Sequence, residues 1–236
     1  MRIGVFAYNW PHRKTQDVLL RLWVEAMDVA CVVAMDPVPL DLPESTRRVK
    51  PEHVDPVHPR KVASRMDVPY HEVQHDTPEC AALLRDHGVE LGVVAGARIL
   101  KDPVLDAPTE GILNLHPGLI PEVRGLDALK WAIHLDAPLG VTAHLIDERV
   151  DAGRVVIRRE IELKPDDTWI DLSLRQYETE LAILPEAVAR VAERGADAFD
   201  RVGESEKRSR MPPELEAGLD AKLAERKERV FGEEAT

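Results

Sequence analysis

The chain has 236 residues, enough for one large or two small domains with a substantial buried core. Its 43 Asp and Glu exceed its 31 Lys and Arg, and a net charge of -12 argues against general binding to nucleic-acid phosphates. Two cysteines cannot build a disulfide framework, and no apolar run approaches the roughly 20 residues that a membrane helix needs. The sequence does not start with a basic leader. We therefore predict a cytoplasmic globular protein that binds neither nucleic acid nor membrane.

The first quarter of the chain predicts a strand, helix and strand followed by a loop. Met1 to Ala7 has the pattern of a short buried strand, and Val29 to Met35 that of a second. Between them Thr15 can cap a helix from Gln16 to Met27. Residues 36 to 60 hold many of the prolines and predict a surface loop.

The next segment continues this alternation. A helix is predicted over 75–87, and strands over 91–95 and 113–115. Strands that alternate with helices favour a mostly parallel sheet, in which ligands gather at the carboxyl ends of the strands. Asn114 and His116 lie at one such end.

The second half predicts an antiparallel pair of strands between two helices. The strands cover 140–146 and 154–163, and the helices cover 125–134 and 171–192. Residues 214–229 form a charged amphipathic stretch. We predict one domain over residues 1–195 and a charged helical extension over 196–236.

An amide, an imidazole and a carboxylate are the candidate chemical groups. Asn114 and His116 supply donors for an oxyanion that develops at a carbonyl, and Asp151, at the tip of the paired strands, can support the imidazolium. Cys31 and Cys80 lie upstream in no reactive setting, which favours direct transfer between two substrates over a covalent acyl-enzyme. The residue types alone also fit a chance association.

Several ordered motifs between about Val89 and Arg194 resemble the folate-dependent formyltransferase family. Its members include glycinamide ribonucleotide, methionyl-tRNA and sugar N-formyltransferases. The motifs are Val93-Val94-Ala95-Gly96-Ala97-Arg98-Ile99-Leu100, Asn114-Leu115-His116-Pro117-Gly118-Leu119-Ile120-Pro121 with Arg124-Gly125, Gly140-Val141-Thr142-Ala143-His144, and Asp151-Ala152-Gly153.

The resemblance implies a fold and a reaction. The fold is α/β, with a Rossmann-like, mostly parallel sheet flanked by helices and a short helical C-terminal appendage. Asn114, His116 and Asp151 would form the catalytic trio for attack of an amine on the formyl carbon of 10-formyltetrahydrofolate, through a tetrahedral intermediate. His144 would support them, either by orienting Asp151 or by a bond within the paired strands. With no His and Cys cluster at ligand spacing, no metal is predicted.

Two loops would hold the folate, mainly through backbone groups. The residues that match the family's pterin loops are Arg98, Ile99, Leu100, Ile146, Asp147, Glu148 and Val150.

The acceptor site is where the chain departs from its relatives. Purine-pathway members carry a glycine-rich phosphate loop after the first strand, whereas residues 8–15 here contain no glycine. Side chains would replace that loop, although a packed aromatic pair beside a solvated basic turn is the alternative. The predicted acceptor-binding residues are Tyr8, Asn9, Trp10, Arg13, Lys14, Arg124 and Glu180.

We therefore predict formyl transfer to a small amine, such as an amino sugar or another anionic amine. One alternative acceptor is glycinamide ribonucleotide with an unorthodox phosphate site, and another function is a non-catalytic folate- or nucleotide-binding regulatory module. A tRNA acceptor is disfavoured because the residues after Gly195 are acidic. The resemblance to sugar N-formyltransferases also implies a homodimer.

Overall fold

A seven-stranded sheet flanked by helices organises the chain in a computed structural model that describes residues 1–36, 38, 44–149, 151–203 and 205–232. Its strands follow the order β3-β2-β1-β4-β5-β7-β8. Strands β1 to β5 pair with one another in parallel, whereas β7 is antiparallel to both β5 and β8. The strands are β1 (Ile3–Tyr8), β2 (Val29–Met35), β3 (Tyr70–Glu72), β4 (Leu91–Val94), β5 (Ile112–His116), β6 (Arg124–Gly125), β7 (Gly140–Leu145), β8 (Arg154–Glu160) and β9 (Lys207–Arg208). The prediction of a mostly parallel α/β sheet is confirmed.

Seven α-helices occur in the described residues. They are α1 (Arg13–Val24), α2 (Pro59–Arg65), α3 (Pro78–Asp86), α4 (Ala128–His134), α5 (Trp169–Arg194), α6 (Pro213–Glu216) and α7 (Leu219–Phe231). Helix α5 begins with a capping box, in which Thr168 and Asp171 each satisfy the other's backbone N–H. Its buried face packs on β7 and β8 and fixes the antiparallel side of the sheet.

The two faces of the sheet bury different clusters because side chains alternate along each strand. One cluster joins the sheet to α1 and α5 and contains Leu113 and Leu115 of β5. The cluster on the other face contains residues of α3 and Ile112 of β5. Asn114 and His116 have the same parity as Ile112, so they project from that second face.

A third cluster ties the C-terminal segment to the body of the protein. Trp131 of α4 and Trp169 of α5 pack there with Met211, Leu219 and Leu223. Helix α7 therefore shares a core with α4. The predicted boundary at residue 195 falls one residue after the end of α5 and stays a prediction.

A buried ion pair stands beside this third cluster. Lys130 and Glu216 are 2% and 0% exposed, and their charged groups are 2.5 Å apart. The Glu216 carboxylate also accepts hydrogen bonds from Ser45, Thr46 and the Arg47 backbone. The pair thus links α4, α6 and the segment that follows the second strand.

Several predicted boundaries were wrong. Helix α1 begins at Arg13 after His12, and Thr15 is buried in its first turn, where its hydroxyl bonds the His12 ring instead of capping. Residues 124 and 125 form a strand, so the helix predicted from Gly125 begins at Ala128.

The loop predicted over residues 36–60 and the residues after it also contain structure that the sequence patterns missed. Helix α2 begins at Pro59, with His58 as its N-cap, and β3 adds an edge strand beside β2. Residues 37 and 39–43 lie outside the described part of the chain. Among the described residues, no helix is long and apolar enough to cross a membrane.

Candidate active site

The carboxyl end of β5 carries the first two candidate residues on one face. Asn114 pairs in register with His144 of β7, and His116 with Thr142. The Thr142 hydroxyl donates to the Gly118 carbonyl at 2.8 Å and accepts from the Ile120 N–H at 3.0 Å. The β7 strand therefore fixes the start of the loop that follows His116.

His144 orients the Asn114 amide. Its Nδ1 lies 2.6 Å from the Ala152 carbonyl, an oxygen that can only accept, so Nδ1 carries the proton. Nε2 then accepts from the Asn114 Nδ2 at 3.2 Å. Burial, followed by the neighbouring His116, lowers the pKa of His144 to about 4, which keeps its ring neutral near pH 7. Asn114 thus has one amide N–H engaged and a second for another acceptor.

Both nitrogens of the His116 ring face acceptors in the protein. Nε2 lies 2.8 Å from the Val123 carbonyl, and Nδ1 lies 3.5 Å from the Asp151 carboxylate. A Cβ at Gly118 would approach Nε2 to 2.9 Å, so a glycine there leaves room for the ring. A ring protonated on both nitrogens satisfies both neighbours. Its N–H groups face the protein, a geometry that differs from direct donation to a substrate oxygen.

Asp151 is held from a second direction by a backbone amide. Its backbone is left-handed, with φ of 47°, and its Oδ2 accepts from the Gly125 N–H at 3.0 Å. Burial raises the pKa of this carboxyl, but the contacts with His116, His144 and the Gly125 amide outweigh burial and lower it. Asp151 is therefore ionised at neutral pH.

The two loops predicted to hold folate meet at one hydrophobic cluster. Leu100 is buried in the cluster on the second face of the sheet, and Ile146 packs against it. Ile99 is 56% exposed, Arg98 is half-buried and Glu148 is exposed.

Asp147 is already engaged in this region. Its carboxylate accepts from the Arg149 side chain at 2.7 Å and faces Arg201 at 3.8 Å. Burial opposes ionisation, but the Arg149 contacts lower its pKa. Val150 lies outside the described residues.

The aromatic residues of the predicted acceptor loop, residues 8–15, form a stack. The ring centroids of Tyr8 and Trp10 are 4.1 Å apart, and the angle between the ring planes is 17°. The Tyr8 hydroxyl donates to the Ala97 carbonyl. Burial raises the pKa of Tyr8. Asn9 is engaged within the protein, where its amide donates to Asp36 and accepts from Tyr70.

The basic residues of the acceptor loop are paired with carboxylates. Lys14 lies 2.8 Å from Glu180, which is 3% exposed, and also donates to the Leu115 carbonyl at 3.1 Å. Arg13 bonds Asp17 at 2.6 Å. Lys14 therefore joins α1, α5 and the end of β5.

Arg124 is buried, away from the surface position expected of an anion ligand. Its guanidinium donates to the Ser205 carbonyl at 2.9 Å and to the Ser205 hydroxyl at 3.3 Å.

The sequence patterns missed two further basic residues near the acceptor loop. Burial, and then the charges of Lys14, Lys50 and His53, lower the pKa of His12 to about 4. Lys50 and His53 are exposed, and the His53 ring lies 6.3 Å from that of Tyr177. Their only sequence signal was a basic residue and a histidine within the proline-rich segment. The Val123 carbonyl and the Gly125 amide were missed because backbone groups leave no mark in residue type.

Three histidines with lowered pKa values predict a pH-dependent stability. Burial is the main cause that lowers the pKa values of His12, His75 and His144 to about 4. As the pH falls below about 6.5, these histidines become protonated in the unfolded chain, whereas in the folded chain they stay neutral until about pH 4. The free energy of unfolding therefore decreases as the pH falls from about 6.5 to about 4. We expect each histidine to contribute about 1.4 kcal/mol per pH unit. Urea unfolding between pH 7 and 4.5 should show this slope, reduced by one such contribution in His75→Gln; an equal slope in the variant would contradict the assignment.

The chain is similar in sequence to known proteins of one family. Residues 2–188 match the sequence profile of the family described as Formyl transferase. The methionyl-tRNA formyltransferase of Myxococcus xanthus is 38% identical over 98 residues, which are 41% of this chain and 31% of that protein. The methionyl-tRNA formyltransferase of Roseobacter denitrificans is 31% identical over 176 residues, 74% of this chain and 55% of that protein. The chain thus spans about a third to a half of these curated relatives.

Solved structures share the fold over most of the chain. Glycinamide ribonucleotide transformylase 1 from Symbiobacterium toebii matches with a TM-score of 0.63 and 26% identity, over 82% of this chain and 88% of that one. A sugar N-formyltransferase from a Shewanella species matches with a TM-score of 0.60 and 18% identity, over 89% and 76% of the two chains, a likeness of fold alone. Because the family profile covers most of the sequence, the chain belongs to the formyl transferase family.

Proposed function

We propose that this protein transfers a formyl group from 10-formyltetrahydrofolate to the amine of a small-molecule acceptor. The observation that carries the proposal is the convergence of Asn114, His116 and Asp151 at the end of β5, in a chain of the formyl transferase family. The proposed roles follow from their contacts.

In the proposed reaction the amine nitrogen forms a bond to the formyl carbon, and the carbonyl π electrons move onto its oxygen. The second Asn114 N–H donates to that oxygen, since the first is held by His144. The His116 imidazolium adds positive charge nearby. As the oxyanion collapses, the bond from the formyl carbon to the folate nitrogen breaks. Asp151 accepts the proton lost by the amine and passes it to the folate nitrogen as that nitrogen leaves, so the carboxylate is regenerated.

The described residues fit a folate ring between the two predicted loops. Leu100 and Ile146 belong to one apolar surface, and the exposed Ile99 side chain gives a flat ring an apolar contact. We propose that these loops bind the pterin. Ligand contacts there would come mainly from backbone groups, because Asp147 is already paired with Arg149. In the described residues no group of three or more His, Cys, Asp and Glu side chains suits a metal ion.

The acceptor is proposed to be an anionic amine, such as an amino sugar joined to a nucleotide. The Tyr8 and Trp10 stack offers an aromatic surface, and Lys50 adds positive charge near His12. The chain's net charge of -12 repels a large polyanion, whereas a small anion can bind at this local positive charge.

A tRNA acceptor is the second candidate, and the named relatives favour it. The curated proteins of 31% and 38% identity are methionyl-tRNA formyltransferases. The acidic charge of this chain opposes a long phosphate backbone, and we place tRNA behind the small amine.

Product analysis tests the acceptor class. We would incubate the protein and 10-formyltetrahydrofolate with a nucleotide-linked amino sugar, glycinamide ribonucleotide or methionyl-tRNA. Absorbance measures folate release, and mass spectrometry or acid gels measure the formylated product. We expect turnover with the amino sugar. Turnover with tRNA or glycinamide ribonucleotide alone would overturn the acceptor class, and tight folate binding without turnover on any acceptor would indicate a binding module.

The Lys14 and Glu180 pair gives a kinetic prediction. Replacing Lys14 alone would strand the buried Glu180 charge, so the informative variant is Lys14→Met with Glu180→Gln. If the pair faces the acceptor, the acceptor KM should rise about tenfold, the loss of about 1.4 kcal/mol of binding. The folate KM should not change. A matched control, Arg21→Met with Glu25→Gln, removes an exposed pair on the same helix. Equal acceptor KM values in the two double variants would show that the Lys14 and Glu180 pair does not contact the acceptor.

A further inference from the structure

We propose that a C-terminal strap, residues 199–203 and 205–211, positions Asp151 beside His116 and so belongs to the catalytic unit. The inference rests on the proposed function, because it gives Asp151 a role in formyl transfer. It is carried by the backbone contacts that the strap makes on both sides of Asp151.

The first half of the strap holds the chain immediately after Asp151. The Val202 N–H donates to the Gly153 carbonyl at 2.7 Å, and the Val155 N–H donates to the Asp200 carbonyl at 3.1 Å. Arg154 extends the contact by donating to the Phe199 carbonyl at 2.8 Å. The exit from the Asp151 turn is therefore hydrogen-bonded to the strap.

The second half holds the segment whose amide binds the Asp151 side chain. Strand β9 pairs in parallel with β6, with Gly125 opposite Arg208. The Leu126 N–H donates to the Arg208 carbonyl at 3.0 Å, and the Trp131 indole donates to the Ser209 carbonyl at 2.9 Å. The same β6 segment presents the Gly125 N–H to the Asp151 carboxylate.

Gly125 shows how closely the strap approaches this segment. Its φ is 98°, and a Cβ built there would lie 1.8 Å from the Arg208 carbonyl oxygen. A side chain would force β9 away from β6. The glycine of the Arg124-Gly125 motif thus permits the strap to pair beside the amide that holds Asp151.

The strap therefore joins two segments that are distant in sequence and that together fix Asp151. One anchors its backbone and the other its carboxylate, and the 3.5 Å approach to His116 depends on their relative position. A misplacement of about 1 Å can cost on the order of a hundredfold in rate. Residues of the strap act through Gly125 and Gly153, so they are positioning residues.

Substitutions at Val202 test the strap at one position. Val202→Pro removes the N–H that binds the Gly153 carbonyl, whereas Val202→Ala keeps that N–H and shortens a buried side chain. We expect Val202→Pro to lower kcat about 10- to 100-fold with small changes in either KM. Val202→Ala should keep kcat within about threefold of the parent protein.

A second readout does not depend on turnover. In Val202→Pro the pKa of the Asp151 carboxyl should rise towards its ordinary value, as it loses the Gly125 and His116 contacts that lower it. Carbon-13 NMR of labelled aspartate measures this, with Asp151→Asn to assign the signal. Arg226→Ala, which releases α7 from the Ala137 carbonyl, controls for general loosening of the C-terminal segment.

The outcomes separate the strap from the proposed reaction. An unchanged Asp151 titration and kcat in Val202→Pro would overturn the strap, as would equal losses of kcat in Arg226→Ala. If Val202→Pro fails to fold, Trp131→Phe removes the indole donor to Ser209 and takes its place, with a smaller change expected in the same direction. If the parent protein transfers no formyl group, the proposed function fails, and the Asp151 titration still decides the strap.

Discussion

Replacing Asn114 by Ala should reduce turnover by about a hundredfold or more. Removal of one donor that stabilises a developing oxyanion typically costs about 2.7–4 kcal/mol in the transition state. Asn114 is suited to this role because His144 fixes its orientation and leaves one amide N–H for another acceptor. Steady-state kcat with saturating substrates measures the effect, because an interaction made only in the transition state lowers kcat without raising KM.

His116→Ala should produce a loss of similar size for a different reason. It removes the ring between Asp151 and the Val123 carbonyl and leaves the Asp151 carboxylate without that partner. His71→Ala is the matched control, since His71 lies on β3, the edge strand at the far side of the sheet, where its ring contacts the His87 ring. Thermal unfolding of each variant separates loss of chemistry from loss of fold. Turnover within threefold of the parent in either Asn114→Ala or His116→Ala would show that the proposed centre is misplaced.

Glu216→Ala should lower the free energy of unfolding by about 3–5 kcal/mol. Breaking a buried pair from one side is strongly destabilising because the remaining charge has no partner. Here that charge is Lys130, 2% exposed, which would lose its 2.5 Å partner and keep the longer 3.4 Å contact with Asp127. The donors of Ser45 and Thr46 would also lose their acceptor. Urea unfolding at pH 7 measures the loss.

The double variant Lys130→Met with Glu216→Leu tests the cause. Replacing both charges with apolar side chains avoids the stranded charge, so it should destabilise less than Glu216→Ala alone. Glu52→Ala is an exposed control, which removes the pair with Arg48 and should cost less than about 1 kcal/mol. A larger loss in the double variant than in Glu216→Ala would contradict the account.

The same pair predicts how stability responds to acid. Burial alone would raise the pKa of Glu216, but the contacts with Lys130, Thr46 and Ser45 outweigh burial and lower the pKa to about 2. A carboxyl whose folded pKa is depressed stabilises the fold fully above its unfolded value, near 4.3, and loses this contribution as pH falls towards 2. Glu216→Gln should therefore flatten the fall in unfolding free energy between about pH 4.3 and 2.

The sheet and the position of Asn114 and His116 could be predicted because they depend on short-range patterns. Apolar runs of strand length marked β1, β2 and β4, and polar side chains at the end of β5 marked the edge where ligands gather. The antiparallel β7 and β8 pair was predicted from two neighbouring runs. Those features need only neighbouring residues.

The missed features depend on contacts between distant residues. Strands β6 and β9 have two residues each, too few for any period, and they form because the Arg208 backbone meets Gly125. Likewise a lysine and a glutamate in polar-looking helices gave no signal that they are buried, since Lys130 and Glu216 are 86 residues apart. Lys14 stays a predicted acceptor ligand, but its contact with Glu180 joins two different helices and could not be read from the sequence.

The Glu216 network also sets an order of events during synthesis. The Glu216 carboxylate accepts from the Thr46 N–H, and the two residues are 170 positions apart. The segment after β2 therefore lacks this hydrogen bond until nearly the whole chain has been made. At about 5–20 residues per second, that interval is roughly 10–30 s for a bacterial or eukaryotic ribosome. Once made, Lys130 itself waits for the 86 further residues that end at Glu216, and until then α4 lacks its contacts with α6 and α7. A chain that stops between residues 160 and 216 therefore has every strand of the central sheet but lacks the acceptor that joins α4 to the segment after β2.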